Sequence, residues 1–398
     1  MRIMKLEIRG FRSLRNVEWH PGRLNVVIGP NGSGKSNLLR ALDLLAVAAK
    51  GGLGKRIQRE GGMERLVWDG IDAAINVRAK FSPADDSRDE ARDSLTYALI
   101  LGRIGKSSSY RIDHEMLANF HRVESGERSA PFKLLERTPN NAMIFDADEK
   151  GLRANEEQLS EEETLLSVAA GPLSANRHVS DFHRDLSGWV VYEDIHTNRD
   201  AEIRQAAVTR NETRVDSDGQ NLISVLHTLY TGDREFKAEV NTAMRAAFSD
   251  DFEELVFPPA ADQKVQLRVR WKSLKREQSA ADLSDGTLRF LFLLAVLASP
   301  KLPSLVAIDE PETGLHPSML PIIAEYAREA SRRSQIILTT HSPEFLDAFG
   351  DSPPSTTIVE WLDGESNLRM ISGEELEYWL KKYTLGELFR SRQLETMS

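Results

Sequence analysis

The chain has 398 residues, 40% of them hydrophobic, with no cysteine and a formal net charge of −10. This is enough for a real core in one large or two joined domains. The missing cysteines exclude disulfides, thiolate zinc sites, iron–sulfur clusters and a cysteine nucleophile, and the acidic balance argues against a surface coated for nucleic acid. Local basic residues such as Lys55, Arg56, Arg59 and Arg65 read most simply as a solvated loop and helix face, and Glu156, Glu157, Glu161, Glu162 and Glu163 as a solvated helix surface. The longest apolar runs, near 290–298 and 41–49, fall short of the roughly 18 to 20 residues of a membrane span. The opening MRIMKLEIRG has no signal-peptide apolar region, so a cytoplasmic protein without membrane contact is expected.

In chain order, MRIMKLEIRGF alternates apolar and polar residues, turns through Pro21-Gly22, and runs into apolar LNVVI. This pattern predicts strand, turn and buried strand, followed by a helix from Lys35 to about Ala49. Short alternating stretches between 74 and 146 predict an antiparallel sheet. From 155 to 250 the pattern is mostly helical, broken by WVVYED and the turn DSDG, and KVQLRVRW at 264–271 predicts one strand. After 283 come a helix to about 298, the buried strand SLVAID, a helix over 317–332, the buried strand QIILTT, a further helix, the strand TTIVEWL and a final helix near 374–382. Apolar strands alternating with helices predict a parallel, doubly wound α/β sheet. Its first strand lies at one end of the sequence and the others at the far end, as in one α/β domain interrupted by a large insertion. No sustained heptad repeat predicts coiled-coil arms.

Gly29-Pro30-Asn31-Gly32-Ser33-Gly34-Lys35-Ser36 fits G-x-x-x-x-G-K-[ST], after a strand and opening a helix. Glycines let backbone N–H groups wrap phosphates, and a helix N-terminus adds favourable partial charge. Lys35 is expected to reach the β- and γ-phosphates of ATP, and the Ser36 hydroxyl to ligate Mg²⁺. SLVAI ends in Asp309-Glu310, where Asp309 suits the Mg²⁺ shell and Glu310 suits a general base for the attacking water. His341 closes the next strand, 32 residues after Asp309, and suits a sensor of the γ-phosphate. Three other patterns carry little. His183-Arg184-Asp185-Leu186 copies a kinase catalytic loop but has Val190 where Asn is needed. His178, His183 and His196 share no clean face for a metal. Asp216-Ser217-Asp218-Gly219 lacks the later ligands of a calcium loop.

In their order, IGPNGSGKSN, LSDGTLRF, VAIDEPETGLHP and TTHSPEFL resemble the ABC-type ATPase heads of the SMC, RecF and overcoming-lysogenization-defect (OLD) group, as does IRGFRSL at residues 8–14. The nearer likeness is to small, armless ATPases of the AAA-21 type, whose chains also end in a segment like YWLKKYTLGELFRS. The resemblance is strong over 1–70 and 280–390 and thin across 85–260. It implies a P-loop ABC-type head with a mixed or parallel sheet core, an antiparallel β subdomain and a mostly helical insertion. The expected boundaries are 1–84 for the N-terminal lobe, 85–260 for the insertion and 261–398 for the C-terminal lobe.

By the same resemblance, residues 29–37, including Asn37, contact the protomer's own ATP, and Lys35, Glu310 and His341 are catalytic. Ser284, Asp285 and Gly286 form a signature motif that serves the ATP of a second subunit, and 312–317 is the D-loop. Ser284 is also a good N-cap, leaving a positive helix end toward an anion. Asp285 stands where transporter relatives carry glycine, and it is expected to point away from phosphate. Residues 171–177 are the one weak candidate for the Q-loop. The implied assembly is a two-fold homodimer around two ATP molecules, or a higher oligomer, with DNA and a nuclease or effector protein as candidate partners in repair, recombination or antiphage defence. A slowly turning nucleotide-gated scaffold and a transporter energy subunit are the competing readings.

Overall fold

The computed structural model describes residues 1–82, 93–105, 108–121, 131–146, 151–154, 160–169, 176–350, 352–371, 379 and 383–391. They fall into two compact units, one of 1–22, 27–189 and 357–370, the other of 23–26, 190–356 and 371–398. The strands of the first half of the chain are β1 (Arg2–Phe11), β2 (Leu14–Trp19), β3 (Leu24–Ile28), β4 (Ala74–Ser82), β5 (Asp93–Arg103), β6 (Tyr110–His121), β7 (Phe132–Thr138), β8 (Asn141–Asp146) and β9 (Gly151–Ala154). All but β3 join one antiparallel sheet in the order β2-β1-β4-β5-β6-β7-β8-β9.

Alternation in β1 puts Ile3, Leu6 and Ile8 inside, and in β4 it does the same for Ile75, Val77, Ala79 and Phe81. The helices of this unit are α1 (Lys35–Lys50), α2 (Leu53–Arg59), α3 (Met63–Leu66), α4 (Leu165–Ala169) and α5 (Arg177–Ser187). Phe182 of α5 meets Phe81 and Tyr97 of the sheet, each at 5.4 Å between ring centres. Burying such a ring contributes about 1.5–3 kcal/mol. Asn176 caps α5 by accepting from the His178 and Val179 amides. The buried Glu115 of β6 accepts from the Leu165 and Leu166 amides at 2.6 and 3.0 Å, which anchors α4.

The second unit contains β10 (Val190–Tyr192), β11 (Ala207–Val208), α6 (Leu222–Gly232), α7 (Arg234–Phe248), β12 (Phe252–Val256), β13 (Pro259–Ala260), β14 (Lys264–Val265), β15 (Arg268–Trp271), β16 (Gln278–Ser279), α8 (Asp285–Leu297), β17 (Leu305–Ile308), α9 (Leu320–Ser331), β18 (Gln335–Thr340) and α10 (Pro343–Asp347). β10, β17 and β18 run parallel. LVAI and QIILTT are buried at every position, as strands covered on both faces require. The Ile336 amide donates to Arg23 O, and the Asn25 side chain donates to Ile336 O. β3 is therefore the next strand beside β18. With β19 (Ser355–Leu362) and β20 (Glu365–Ile371), the order is β10-β17-β18-β3-β19-β20.

Several expectations are corrected here. The compact units do not divide at 84/85 and 260/261, because β4 pairs with β5 along their length, so the antiparallel strands belong with the N-terminal residues. KVQLRVRW is two short strands in different three-stranded sheets; the Gln266 amide bonds Pro258 O between them. Glu161, Glu162 and Glu163 lie in a turn, where Arg137 donates to the Glu163 and Ser160 carbonyls, while Glu156 and Glu157 fall outside the described residues. Arg56 is paired with Asp43 and Glu60. Apart from Trp379, the expected helix near 374–382 lies outside the described residues, as does most of the Q-loop candidate 171–177. Among the described residues no helix is long and apolar enough to cross a membrane.

Candidate nucleotide-binding residues

The loop 29–34 leaves β3 and delivers Lys35 to the start of α1, where no side chain caps the helix. Gly34 sits at φ 106°, and a Cβ there would lie 2.0 Å from Ser366 Oγ and 2.6 Å from Ser13 Oγ. Only glycine fits such a position. The two serines brace the loop. The Ser366 amide donates to Ser13 O at 2.8 Å, and Ser366 Oγ lies 2.6 Å from Ser33 O and 2.7 Å from Ser13 Oγ. Asn37, expected on the nucleotide, gives its side-chain amide to Ser13 Oγ at 2.8 Å. Lys35 is 5% exposed, and its Nζ donates to Gly29 O at 2.8 Å and Pro30 O at 3.1 Å. A cation held by neutral carbonyls at a tight glycine cradle is chemically fit for a polyphosphate. Ser33 Oγ is buried with no hydrogen-bond partner.

In the second unit, β17 ends at Asp309-Glu310, and its parallel neighbour ends at Thr339-Thr340-His341. Thr339 Oγ1 donates to Asp309 Oδ1 and accepts from the Glu310 amide at 3.1 Å. Glu310 adopts φ 45°, a left-handed conformation that costs a non-glycine residue about 1–3 kcal/mol and is concentrated at functional positions. Its carboxylate is held from two sides. His341 Nδ1 lies 2.9 Å from Oε1, and Thr313 Oγ1 donates to Oε2 at 3.4 Å. Because a carboxylate only accepts, this contact puts a proton on Nδ1.

Glu312 accepts from Thr340 Oγ1 through one oxygen, and the other is buried without a partner. Burial pushes its carboxyl above the ordinary value of 4.5, with the Thr340 hydroxyl pulling the other way. A carboxyl raised by folding contributes stability that is complete below its unfolded value and is lost as pH rises through the folded value. Glu312→Gln removes that loss. Melting temperatures at about pH 5 and about pH 8 should therefore show the variant gaining on the parent as pH rises; parallel curves would remove Glu312 from this role.

Ser284 caps α8 by accepting from the Thr287 amide at 3.1 Å, and the two hydroxyls lie 2.8 Å apart. A Cβ on Gly286 would lie 2.5 Å from Gly314 O, so residues 284–286 and the turn at Gly314 touch at backbone distance. The Asp285 carboxylate accepts from the guanidinium of Arg204, a residue the sequence patterns did not single out. Asp285 is thus paired with Arg204 on an otherwise exposed side chain.

A strand–loop–helix phosphate cradle, an Asp-Glu pair closing a buried parallel strand and a capped signature helix are the parts of an ABC-type ATPase head of the SMC, RecF and OLD group. The chain belongs to the family described as "AAA domain, putative AbiEii toxin, Type IV TA system", which matches residues 24–347. It is 49% identical over 118 residues to the DNA replication and repair protein RecF of Geobacter sp. (strain M21), covering 29% of this chain and 28% of that one. It is 22% identical over 350 residues to the OLD nuclease of Thermus scotoductus, covering 87% of this chain and 60% of that one. The phosphonates import ATP-binding protein PhnC of Bdellovibrio bacteriovorus is 27% identical over 172 residues, 42% of this chain and 62% of that one. The chain thus spans less than two thirds of each of these relatives. The fold is also that of an Smc head bound to the C-winged helix domain of ScpA, with TM-score 0.55 and 16% identity over 95% of this chain and all of the other. An Smc head from Pyrococcus furiosus with an extended coiled coil gives 0.56 and 14%, over 96% and 98%.

Asp309, Glu310 and His341 thus form one cluster, residues 29–37 form another, and Ser284 to Gly286 a third beside Gly314. Pattern reading missed Thr339 and Thr340 as supports, although both lie directly before His341. It also left the buried charge of Glu312 unread. Ser13 lies within the IRGFRSL motif. Ser366 and Arg204 gave no local signal, since the motif residues they hold lie 76 or more positions away along the chain.

Proposed function

We propose that the chain is an Mg²⁺-dependent ATPase whose two-fold dimer closes on two ATP molecules and opens after hydrolysis. The observation that carries this reading is the Glu310 carboxylate, held at positive φ between His341 and Thr313 beside an Asp309 fixed by Thr339. Lys35 binds the phosphates, Glu310 takes the proton of the attacking water, and His341 fixes the direction of that carboxylate. Ser36 and Asp309 would hold Mg²⁺, which when bound supplies charge neutralisation at the phosphate oxygens. Ser284 and the N-terminal turn of α8 serve the second subunit's ATP, and the isologous pairing of one patch with itself closes the assembly. Loss of the γ-phosphate removes the contact that favours the closed state.

The likeness to RecF and the OLD nuclease supports a role on DNA, in repair, recombination or antiphage defence, with cleavage supplied by a partner nuclease. The purified chain is therefore expected to hydrolyse ATP, with turnover rising faster than the first power of protein concentration, and to leave DNA intact. Measuring phosphate release across a dilution series with DNA of defined ends tests both parts. Strictly proportional turnover counts against the dimer, and metal-dependent cutting by the pure chain counts against the partner nuclease.

A further inference from the structure

Arg204 is the most heavily engaged arginine around the signature segment. Its side chain is 6% exposed. It donates to the carbonyls of Thr197 at 2.7 Å, Ala280 at 3.1 Å, Ala281 at 3.3 Å and Leu283 at 2.7 Å, and to the carboxylate of Asp285. Four of these five acceptors lie in the six residues 280–285. Asp285 is 66% exposed, so its charge is open to whatever docks on this surface. The neighbouring Asp282 is instead tied to Ser279 Oγ at 2.8 Å. A buried guanidinium thus sets the loop's backbone path and supplies the countercharge of its exposed carboxylate.

We propose that Arg204 is the positioning residue of the signature motif, neutralising Asp285 so that the loop can face the triphosphate held by a second copy of this chain. The proposal rests on the ATP-sandwich reading above. Without the guanidinium, Asp285 presents a bare negative charge to an anion, and removing that charge relieves the fault. A peg that merely shapes the loop has no such suppressor.

The test compares the parent with Arg204→Gln, Asp285→Asn and the double variant, following ATP turnover, ATP binding by the monomer and mass with ATP. Arg204→Gln should lose about 10- to 100-fold in turnover, the scale of one charge-assisted hydrogen bond, while the monomer still binds ATP. The double variant should recover at least about threefold of that loss, and added salt should raise the turnover of Arg204→Gln by screening the carboxylate. Asp285→Asn alone supplies the reference rate against which the double variant is compared. A double variant no better than Arg204→Gln overturns the proposal. If Arg204→Gln fails to fold, Arg204→Lys, which keeps the charge, should retain most turnover, and loss of turnover in a folded Lys variant counts against it. A parent chain that never dimerises with ATP sinks the sandwich itself, whereas one that dimerises without the rescue sinks only the role of Arg204.

Discussion

Glu310→Gln is expected to lower ATP turnover by about 10²- to 10⁴-fold, the range general-base catalysis contributes, and to leave ATP binding in place. The substitution is nearly isosteric. It is compatible with the backbone at φ 45°, its oxygen can accept from His341 Nδ1 and its amide nitrogen can donate to the Thr313 hydroxyl, so local structure should survive. What it removes is the capacity to take a proton from water. Binding by Lys35 and the loop 29–34 does not depend on that capacity, so nucleotide affinity should stay within a few-fold while the closed dimer accumulates. Single-turnover phosphate release against equilibrium ATP binding separates the two terms. Turnover within threefold of the parent would mean that another group activates the water.

Ser284→Arg should abolish ATP-driven closure and reduce turnover to background, with ATP binding by the monomer unchanged. Two effects combine. Losing the N-cap acceptor for the Thr287 amide costs about 1 kcal/mol of helix stability, which a helix whose residues are almost all buried can absorb. The larger effect is steric, because a long side chain now projects from the first turn of α8, where a partner's phosphate must approach. Equilibrium ATP binding together with sedimentation with and without ATP checks this. A variant that still dimerises and turns over would show that the signature surface plays no part in closure.

The fold was legible wherever the periodicity was strong. LNVVI, SLVAI and QIILTT read as buried strands because strands covered on both faces carry apolar runs, and residues 29–36 were read as a phosphate loop from the G-x-x-x-x-G-K-[ST] spacing between a strand and a helix. β2 was lost because Leu14 to Trp19 places Arg15, Asn16 and Glu18 among its apolar residues. β20 was missed although Asp363-Gly364, both at positive φ, is a hairpin turn signal. The compact units do not coincide with the expected lobes because sheet pairing joins residues distant in sequence, and nothing local marks where that pairing stops. At the candidate site, the residues bearing the chemistry stood out by type and position. The residues that hold them did not: Arg204 and Ser366 reach their partners across long sequence separations, and a buried arginine or a serine on a strand looks like any other until the chain is folded. Asp285 was puzzling in sequence for that reason, and its partner Arg204 supplies the physical explanation.

The most direct test of the central claim is the mass of the Glu310→Gln chain in solution, measured with and without ATP and Mg²⁺. The account predicts a monomer that becomes a dimer when ATP is added, and a Glu310→Gln, Ser284→Arg chain that binds ATP yet stays monomeric. A Glu310→Gln chain that binds ATP and keeps one mass at every protein concentration would contradict it.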